Sequence, residues 1–262
     1  EMTSSLVGSE MCIRDRGYDD DLLKESGLFT YERGINDKFW NRVMFPIMDI
    51  NNKVIGFGGR VMGDAKPKYL NSPETKLFDK SRNLYGLNFV HGKQSEGMII
   101  CEGYMDVISL HQAGFTNAVA SLGTAWSDSQ FEQLKKYVSS LCFIPDSDIA
   151  EGKPYGPGFE AVMTNGAAAI RKGFHVTVRE LPFAEIPSET EGEVQYAKND
   201  ADSYIRSRED YTSLPEKHFI IWLAQKRFLV AGSMVEERKC VAEIADPVSY
   251  THLRAHETRR HL

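Results

Sequence analysis

MIICEGYMDVISLHQAGFTNAVASLG, residues 98–123, decides the fold. MIIC (98–101) is a short apolar run of strand type, followed by Glu102-Gly103. YMDVISLHQAG (104–114) has apolar residues at helical spacing and stops at Gly114, where glycine can take the left-handed turn that ends helices. TNAVASLG (116–123) reads as a second buried strand. Strand, helix and strand joined by short loops make the unit of a parallel sheet, because parallel neighbours require a crossover.

The alternation continues downstream. WSDSQFEQLKKYV (126–138) reads as an amphipathic helix with Ser127 as N-cap, and SLCFI (140–144) as a third strand running into Pro145-Asp146-Ser147-Asp148. A Gly/Pro-rich loop (150–158), a helix (159–172) and the strand HVTVREL (175–181) follow. Residues 183–199 are polar and irregular and read as a loop, whereas 200–209 and 216–231 look helical. Upstream, 19–27 is a short helix ended by Gly27, and VMFPIMDI (43–50) and VIGFGGRV (54–61) flank Asn51-Asn52-Lys53 as a hairpin. KPKYLNSP (66–73) reads as an ordered loop and NLYGLNFV (83–90) as a short helix. The expected class is α/β: a parallel or mixed sheet domain, preceded by a smaller basic α+β part and followed by helices.

Two strand ends carry acids. Glu102 follows the first strand, and Asp146 and Asp148 follow the third. Open parallel sheets bind ligands outside the carboxyl ends of their strands. Carboxylates gathered there repel one another unless a divalent cation neutralises them, and hard oxygen donors select Mg²⁺ or Mn²⁺ over zinc. Asp106 lies one helical turn after Glu102, so it is expected to face the same place. Asp200 and Asp202, preceded by Lys198, form another D-x-D pair able to serve a second ion. A single Asp after a strand is commonly just a helix cap; acids at two strand ends raise the signal.

Composition sets the outer limits. With 42% hydrophobic and 26% charged residues the chain is of ordinary globular type. No run of eighteen apolar residues and no signal-peptide pattern occurs, so no membrane span is expected. The four cysteines, Cys12, Cys101, Cys142 and Cys240, are scattered and form no C-x-x-C pair, which argues against a zinc ribbon or a disulfide framework and fits a reducing cytoplasm. Net charge is −6, yet residues 38–93 hold ten Lys/Arg against four Asp/Glu, a local +6 that leaves −12 for the rest. A basic block beside an acidic one suits a protein that grips a polyanion and holds metal, and it also suits a surface whose charges merely segregate.

The resemblance to a family then becomes specific. CEGYMDVISLHQAGFTNAVASLGTA (101–125) resembles the Toprim segment of DnaG-type bacterial primases. RVMFPIMD (42–49), VIGFGGRVM (54–62), PKYLNSPET (67–75) and LYGL (84–87) resemble the basic subdomain that precedes it there. The likeness covers roughly residues 28–180. It implies a Toprim domain over 96–182, a basic N-terminal part over 17–95, and a loop with helices over 183–246. It implies a nucleotidyltransferase, a DNA-directed RNA polymerase that makes short RNA primers from ribonucleoside triphosphates on single-stranded DNA. By motif, Glu102, Asp146 and Asp148 would be metal ligands, with Asp106, Asp200 and Asp202 as further acids near the metals. Arg42, Arg60, Lys68, Asn71, Lys80 and Arg82 would contact template phosphates or the triphosphate. Tyr69 would stack on a base or belong to the core. Gly56, Gly58 and Gly59 would bring backbone close to phosphate or mark a twisted strand. A replicative helicase is the expected partner and the cytoplasm the expected location.

The chain departs from the family pattern in places. Primases usually have Asp-Gly-Asp where this chain has Asp146-Ser147-Asp148, and the segments 149–161 and 188–200 are longer than usual, as in primases of phages or integrative elements. No zinc module and no G-K-[ST] phosphate loop is seen. Residues 1–16 and 247–262 resemble translated sequencing adapter, so 17–246 is expected to be the middle of a longer chain. Two other classes stay open: a different Toprim enzyme, such as a topoisomerase or nuclease, and a non-catalytic module that binds single-stranded DNA or a helicase.

Overall fold

The apolar runs become neighbouring strands. A computed structural model of the protein describes residues 17–31, 34–92, 96–123, 126–148, 155–187 and 194–245. The readings made for the two tails, and for most of the 150–158 loop, lie outside these residues. The chain divides into two units, Glu1–Asn83 and Leu84–Leu262.

The first unit opens with helix α1 (Asp20–Ser26), capped by Asp19, whose carboxylate accepts a hydrogen bond from Leu22 N at 2.8 Å, and closed by Gly27 at φ 68°. Strands β1 (Phe29–Thr30) and β2 (Asn36–Asp37) pair antiparallel. Strands β3 (Arg42–Met48), β4 (Val54–Val61) and β5 (Tyr69–Asn71) form an antiparallel sheet in chain order. At the β3–β4 turn the Asp49 carboxylate accepts from Asn51 N and Lys53 N, at 2.8 and 2.9 Å, and Asn52 takes φ 61°. β5 corrects the reading of KPKYLNSP as loop throughout. Its prolines stand at 67 and 73, outside Tyr69–Asn71, so the three central amides remain able to pair with Gly58–Arg60.

The second unit runs β6 (Leu84–Tyr85), a 3₁₀ turn (Leu87–Phe89), β7 (Met98–Cys101), α2 (Tyr104–Gln112), β8 (Ala118–Ser121), α3 (Asp128–Leu134), β9 (Ser140–Phe143), α4 (Pro157–Arg171) and β10 (His175–Arg179). Then come β11 (Ala184–Pro187), β12 (Val194–Ala197), α5 (Ala201–Tyr204), α6 (Arg208–Ser213), β13 (Glu216–His218), α7 (Phe219–Phe228) and a helix over 234–245. Six strands form one sheet in the order β13-β10-β9-β7-β8-β6. The inner four are parallel and both edge strands are antiparallel, as the mixed α/β reading expected.

Five details differ from expectation. NLYGLNFV is a two-residue strand and a 3₁₀ turn, divided by Gly86 at φ 87°. Because β6 pairs with β8, residues 84–92 fold with the second unit and not with the basic part. Residues 183–199 contain the hairpin β11–β12, and 200–209 holds the start of two short helices in place of one. Residues 216–218 are an edge strand on β10 before α7 begins, with His218 Nδ1 accepting from Ile220 N at 3.3 Å.

Both faces of the sheet are covered. On one, Met98, Ile100, Leu141, Phe143 and Val176 pack against α3, α4 and α7, where Phe159 stacks on Trp222 with centroids 5.9 Å apart. On the other, Ile99, Cys101, Ala118 and Ala120 pack against α2, α5 and α6. Alternate residues of each strand feed opposite cores, so the strands read as continuous apolar runs. Among the described residues no helix is long and apolar enough to cross a membrane.

Candidate functional site

β7 and β9 lie side by side at the centre of the sheet, with Ile100 opposite Phe143 and Ile144 N donating to Ile100 O at 3.0 Å. From β7 the chain leaves through α2 toward β8; from β9 it leaves through α4 toward β10, on the other side. The two departures leave a crevice at the strand ends, the place where α/β sheets of this kind bind ligands. Glu102, Asp146 and Asp148 stand there.

Each acid is held by the protein. Glu102 Oε1 accepts from Asp146 N at 3.1 Å. Asp148 accepts from Gly158 N in the first turn of α4, at 3.2 Å to Oδ1 and 3.4 Å to Oδ2, so the positive end of that helix faces its charge. The carboxylate of Asp146 is ion-paired with the ammonium of Lys198. Glycines allow this crowding. A Cβ on Gly158 would strike Glu102 Oε1 and would come within 2.9 Å of Asp146 O and 3.1 Å of Asp146 N. A Cβ on Gly156 would strike Asp148. Gly156-Pro157-Gly158 therefore starts α4 directly against the acids.

The remaining acids predicted from sequence lie beside this group. Asp106, 7% exposed, accepts from Gly103 N at 3.0 Å through Oδ2 and from Asp202 N at 3.1 Å through Oδ1. Asp202 Oδ1 accepts from Ser109 Oγ at 2.6 Å, and Asp200 caps α5 by accepting from Ser203 N at 2.8 Å. Asp106 and Asp202 tie α2 to α5, and all three carboxylates add negative charge to the crevice. Loss of hydration, then the Asp146 charge, push Asp106 up to about 7 despite its two backbone donors. Although Glu102 as a whole residue is exposed, loss of hydration at its carboxyl group, then the Asp146 charge, push it up to about 7 as well. Asp146 is raised by burial and held back by Lys198.

These residues fit a hard divalent cation by donor type. The cluster is oxygen only, and its shared strain is excess negative charge, which a cation relieves. Among the described residues no three His, Cys, Asp or Glu side chains converge into a ready-made cage, because Asp146, Asp148 and Glu102 are each turned toward a donor of the protein itself.

In the first unit the structure sorts the basic residues. Arg42 Nη1 donates to Gly59 O and Lys68 O, both at 3.4 Å, and so clasps β3 to β4 and to the start of β5. Gly59 makes room for it, since a Cβ there would lie 3.0 Å from Arg42 Cδ and 2.8 Å from Phe39. That settles the glycine in favour of close packing within the sheet. The Arg60 guanidinium and the Lys68 ammonium stand 5.6 and 5.9 Å from the centre of the Tyr69 ring. Tyr69 is 40% exposed, so the core alternative falls away. Asn71 pairs opposite Gly58 on β4. Lys80 lies close enough to Lys38 to help lower its pKa, after burial, and Arg82 is exposed on the turn whose amide donates to Asp79 O at 3.1 Å.

Sequence reasoning passed over Gly158 and Asn199, read Ser147 only as a departure from Asp-Gly-Asp, and read Lys198 only as a neighbour of Asp200. The one visible signal was a hydroxyl residue set between two acids in Asp146-Ser147-Asp148.

Known proteins are similar to this chain in sequence and fold. Residues 5–91 match the family model described as DNA primase catalytic core, N-terminal domain, and residues 99–185 match the Toprim-like model. The chain is 42% identical over 242 residues to a DNA primase of Clostridium acetobutylicum, covering 90% of this chain and 38% of that protein. The crystal structure of a DNA primase domain from Pseudomonas aeruginosa is similar at TM-score 0.70 and 32% identity, over 95% of this chain and 77% of that one. A DnaG primase catalytic domain bound to single-stranded DNA is similar at TM-score 0.72 and 27% identity, over 97% and 81%.

Proposed function

Because this chain belongs to the DnaG-type bacterial DNA primase family, we propose that it carries the centre that joins ribonucleotides into short primers on a single-stranded DNA template. The observation that carries the reading is the meeting of Glu102 and Asp146 at adjacent strand ends, where Oε1 of one accepts from the backbone N of the other at 3.1 Å. The match of residues 5–91 to the primase N-terminal domain favours priming over topoisomerase or nuclease chemistry.

In this reading Glu102, Asp146 and Asp148 hold the cation, Mg²⁺ or Mn²⁺, and Asp106, Asp200 and Asp202 shape the negative field around it. When bound, the cation neutralises the triphosphate and lowers the pKa of the primer 3′-hydroxyl. The hydroxyl oxygen attacks the α-phosphorus of the incoming nucleotide, the bond to the β-phosphate breaks, and pyrophosphate leaves. Glu102 would additionally serve as general base toward the hydroxyl proton. Arg60, Lys68 and the exposed ring of Tyr69 offer a backbone-phosphate and base-stacking surface, to which Asn71, Lys80 and Arg82 add polar contacts. Replicative DNA synthesis in the cytoplasm, with a helicase as partner, is the setting this activity serves. The test is primer synthesis on single-stranded DNA with Mg²⁺. Asp146→Ala should abolish synthesis and retain DNA binding; undiminished synthesis would sink the reading.

A further inference from the structure

We propose that Lys198 is a built-in counter-cation of the acid cluster, set against Asp146 by a Ser147–Asn199 clamp and displaced when a divalent cation loads. The inference rests on the proposed metal site at Glu102, Asp146 and Asp148.

Three observations carry it. First, the ammonium of Lys198 is paired with an Asp146 side chain only 9% exposed, so the pair is not an ordinary surface ion pair. Lys198, itself 49% exposed, thus holds a carboxylate that a divalent cation would take.

Second, its position is set by backbone. Asn199 N donates to Ser147 Oγ at 2.9 Å, and Ser147 N donates to Asn199 O at 2.9 Å. The two residues are joined in both directions, each one residue away from a partner of the ion pair. Asn199 Nδ2 donates further to Pro182 O at 3.1 Å, and Ser203 Oγ donates to Asn199 Oδ1. Ser147 is 0% and Asn199 8% exposed. A buried hydroxyl is costly unless bonded, and this one is bonded across 52 residues of chain to the segment bearing Lys198.

Third, the clustered acids form no closed cage among the described residues. Asp146 is turned to Lys198 instead. A cation entering there must take Asp146 from the ammonium, so loading exchanges one positive charge for another. Lys198 stabilises the metal-free site and weakens metal binding by competition.

Lys198→Met should therefore bind Mn²⁺ more tightly, by on the order of tenfold, since a unit positive charge leaves the immediate surroundings of the site. Its melting temperature without metal should fall, and the rise on adding Mn²⁺ should exceed that of the unaltered protein. Lys198→Arg should stay near the unaltered protein. Mn²⁺ titration by electron paramagnetic resonance reads the affinity without any primer synthesis. Unchanged or weaker Mn²⁺ binding in Lys198→Met overturns the proposal. If the unaltered protein binds Mn²⁺ and Asp146→Ala does not, the metal site stands whatever Lys198 does. If Asp146→Ala binds Mn²⁺ as well as the unaltered protein, the metal reading fails and takes this inference with it. Should Lys198→Met not fold, amine labelling of the unaltered chain decides. Mn²⁺ should increase modification of Lys198, and unchanged or reduced labelling overturns displacement.

Discussion

The acidic crevice of the second unit and the basic sheet of the first are built on opposite plans. In the crevice every carboxylate is fixed: Glu102 on the Asp146 amide, Asp148 on the Gly158 amide, Asp106 on two amides, Asp146 on Lys198. On the sheet, Arg60 and Lys68 are long side chains lying over a half-exposed tyrosine ring at more than 5 Å, whereas Arg42 is tied to backbone. The difference follows from the tasks. Bond-making depends on geometry to within fractions of an ångström, whereas gripping a flexible polyanion depends mostly on charge count. Damage in the crevice should therefore appear in rate, and damage on the sheet in affinity and its salt dependence.

The largest effect is expected from Asp146→Ala. Removing the carboxylate that pairs with Lys198 and whose charge acts on Glu102 should cost roughly 10³-fold or more in primer synthesis, comparable with removing one preorganised catalytic group. Affinity for single-stranded DNA, read by fluorescence anisotropy, should change little. A parallel loss of DNA binding would break the division of labour.

Gly158→Ala comes next. The new Cβ would press on Asp146 O and N, which are backbone atoms and cannot swing aside as a flexible side chain could. Alanine is otherwise a better helix former than glycine, so α4 itself should persist by circular dichroism. A displacement of the acids by about 1 Å is expected to cost on the order of 10²-fold in rate. Full activity would mean that the crevice tolerates more movement than its packing suggests.

Legibility follows the same divide. β7, β8, β9 and β10 were readable because central parallel strands are buried on both faces and show as unbroken apolar runs. β5, β6 and β13 were not, because each is two or three residues long, and β6 and β13 owe their existence to partners far along the chain. Glu102, Asp146 and Asp148 could be located from strand ends alone. The Asp106–Asp202 bond spans 96 residues and the Ser147–Asn199 clamp 52, and no local pattern encodes such meetings. Arg42 illustrates the converse. Its motif marked it as a polyanion contact, and nothing in that motif foretold that Nη1 also donates to Gly59 O and Lys68 O.

Glu102→Gln tests the electrostatic half of the comparison. The Glu102 carboxyl is pushed from an ordinary value near 4.5 up to about 7, by loss of hydration first and the Asp146 charge second. The folded state thus holds that proton more tightly than the unfolded chain. Its contribution is most favourable below about pH 4.5 and is lost as pH rises through 7. Without divalent cations, the melting temperature of the unaltered protein should fall across that window. Glu102→Gln should fall less, by about a few degrees, with Asp106 supplying the remaining slope. Thermal melts in chelator from pH 4.5 to 7.5 make the comparison. Parallel curves would show that Glu102 is not strained by its neighbours.

The smallest effect is expected on the sheet, and its form matters more than its size. Arg60→Ala removes one of the two cations over Tyr69 and leaves β4 intact, because residue 60 pairs with Val43 and Tyr69 through backbone. If Arg60 neutralises one phosphate, affinity for single-stranded DNA should drop several-fold and the slope of log affinity against log salt should shrink by about 0.7. Tyr69→Ala should weaken binding through lost stacking and leave that slope nearly unchanged, since no charge is removed. The pair of variants separates the two contributions that the geometry superimposes on a single ring. Equal slopes in Arg60→Ala and the unaltered protein would mean that Arg60 serves the sheet, as Arg42 does, and that the phosphate grip lies with Lys68 and its neighbours.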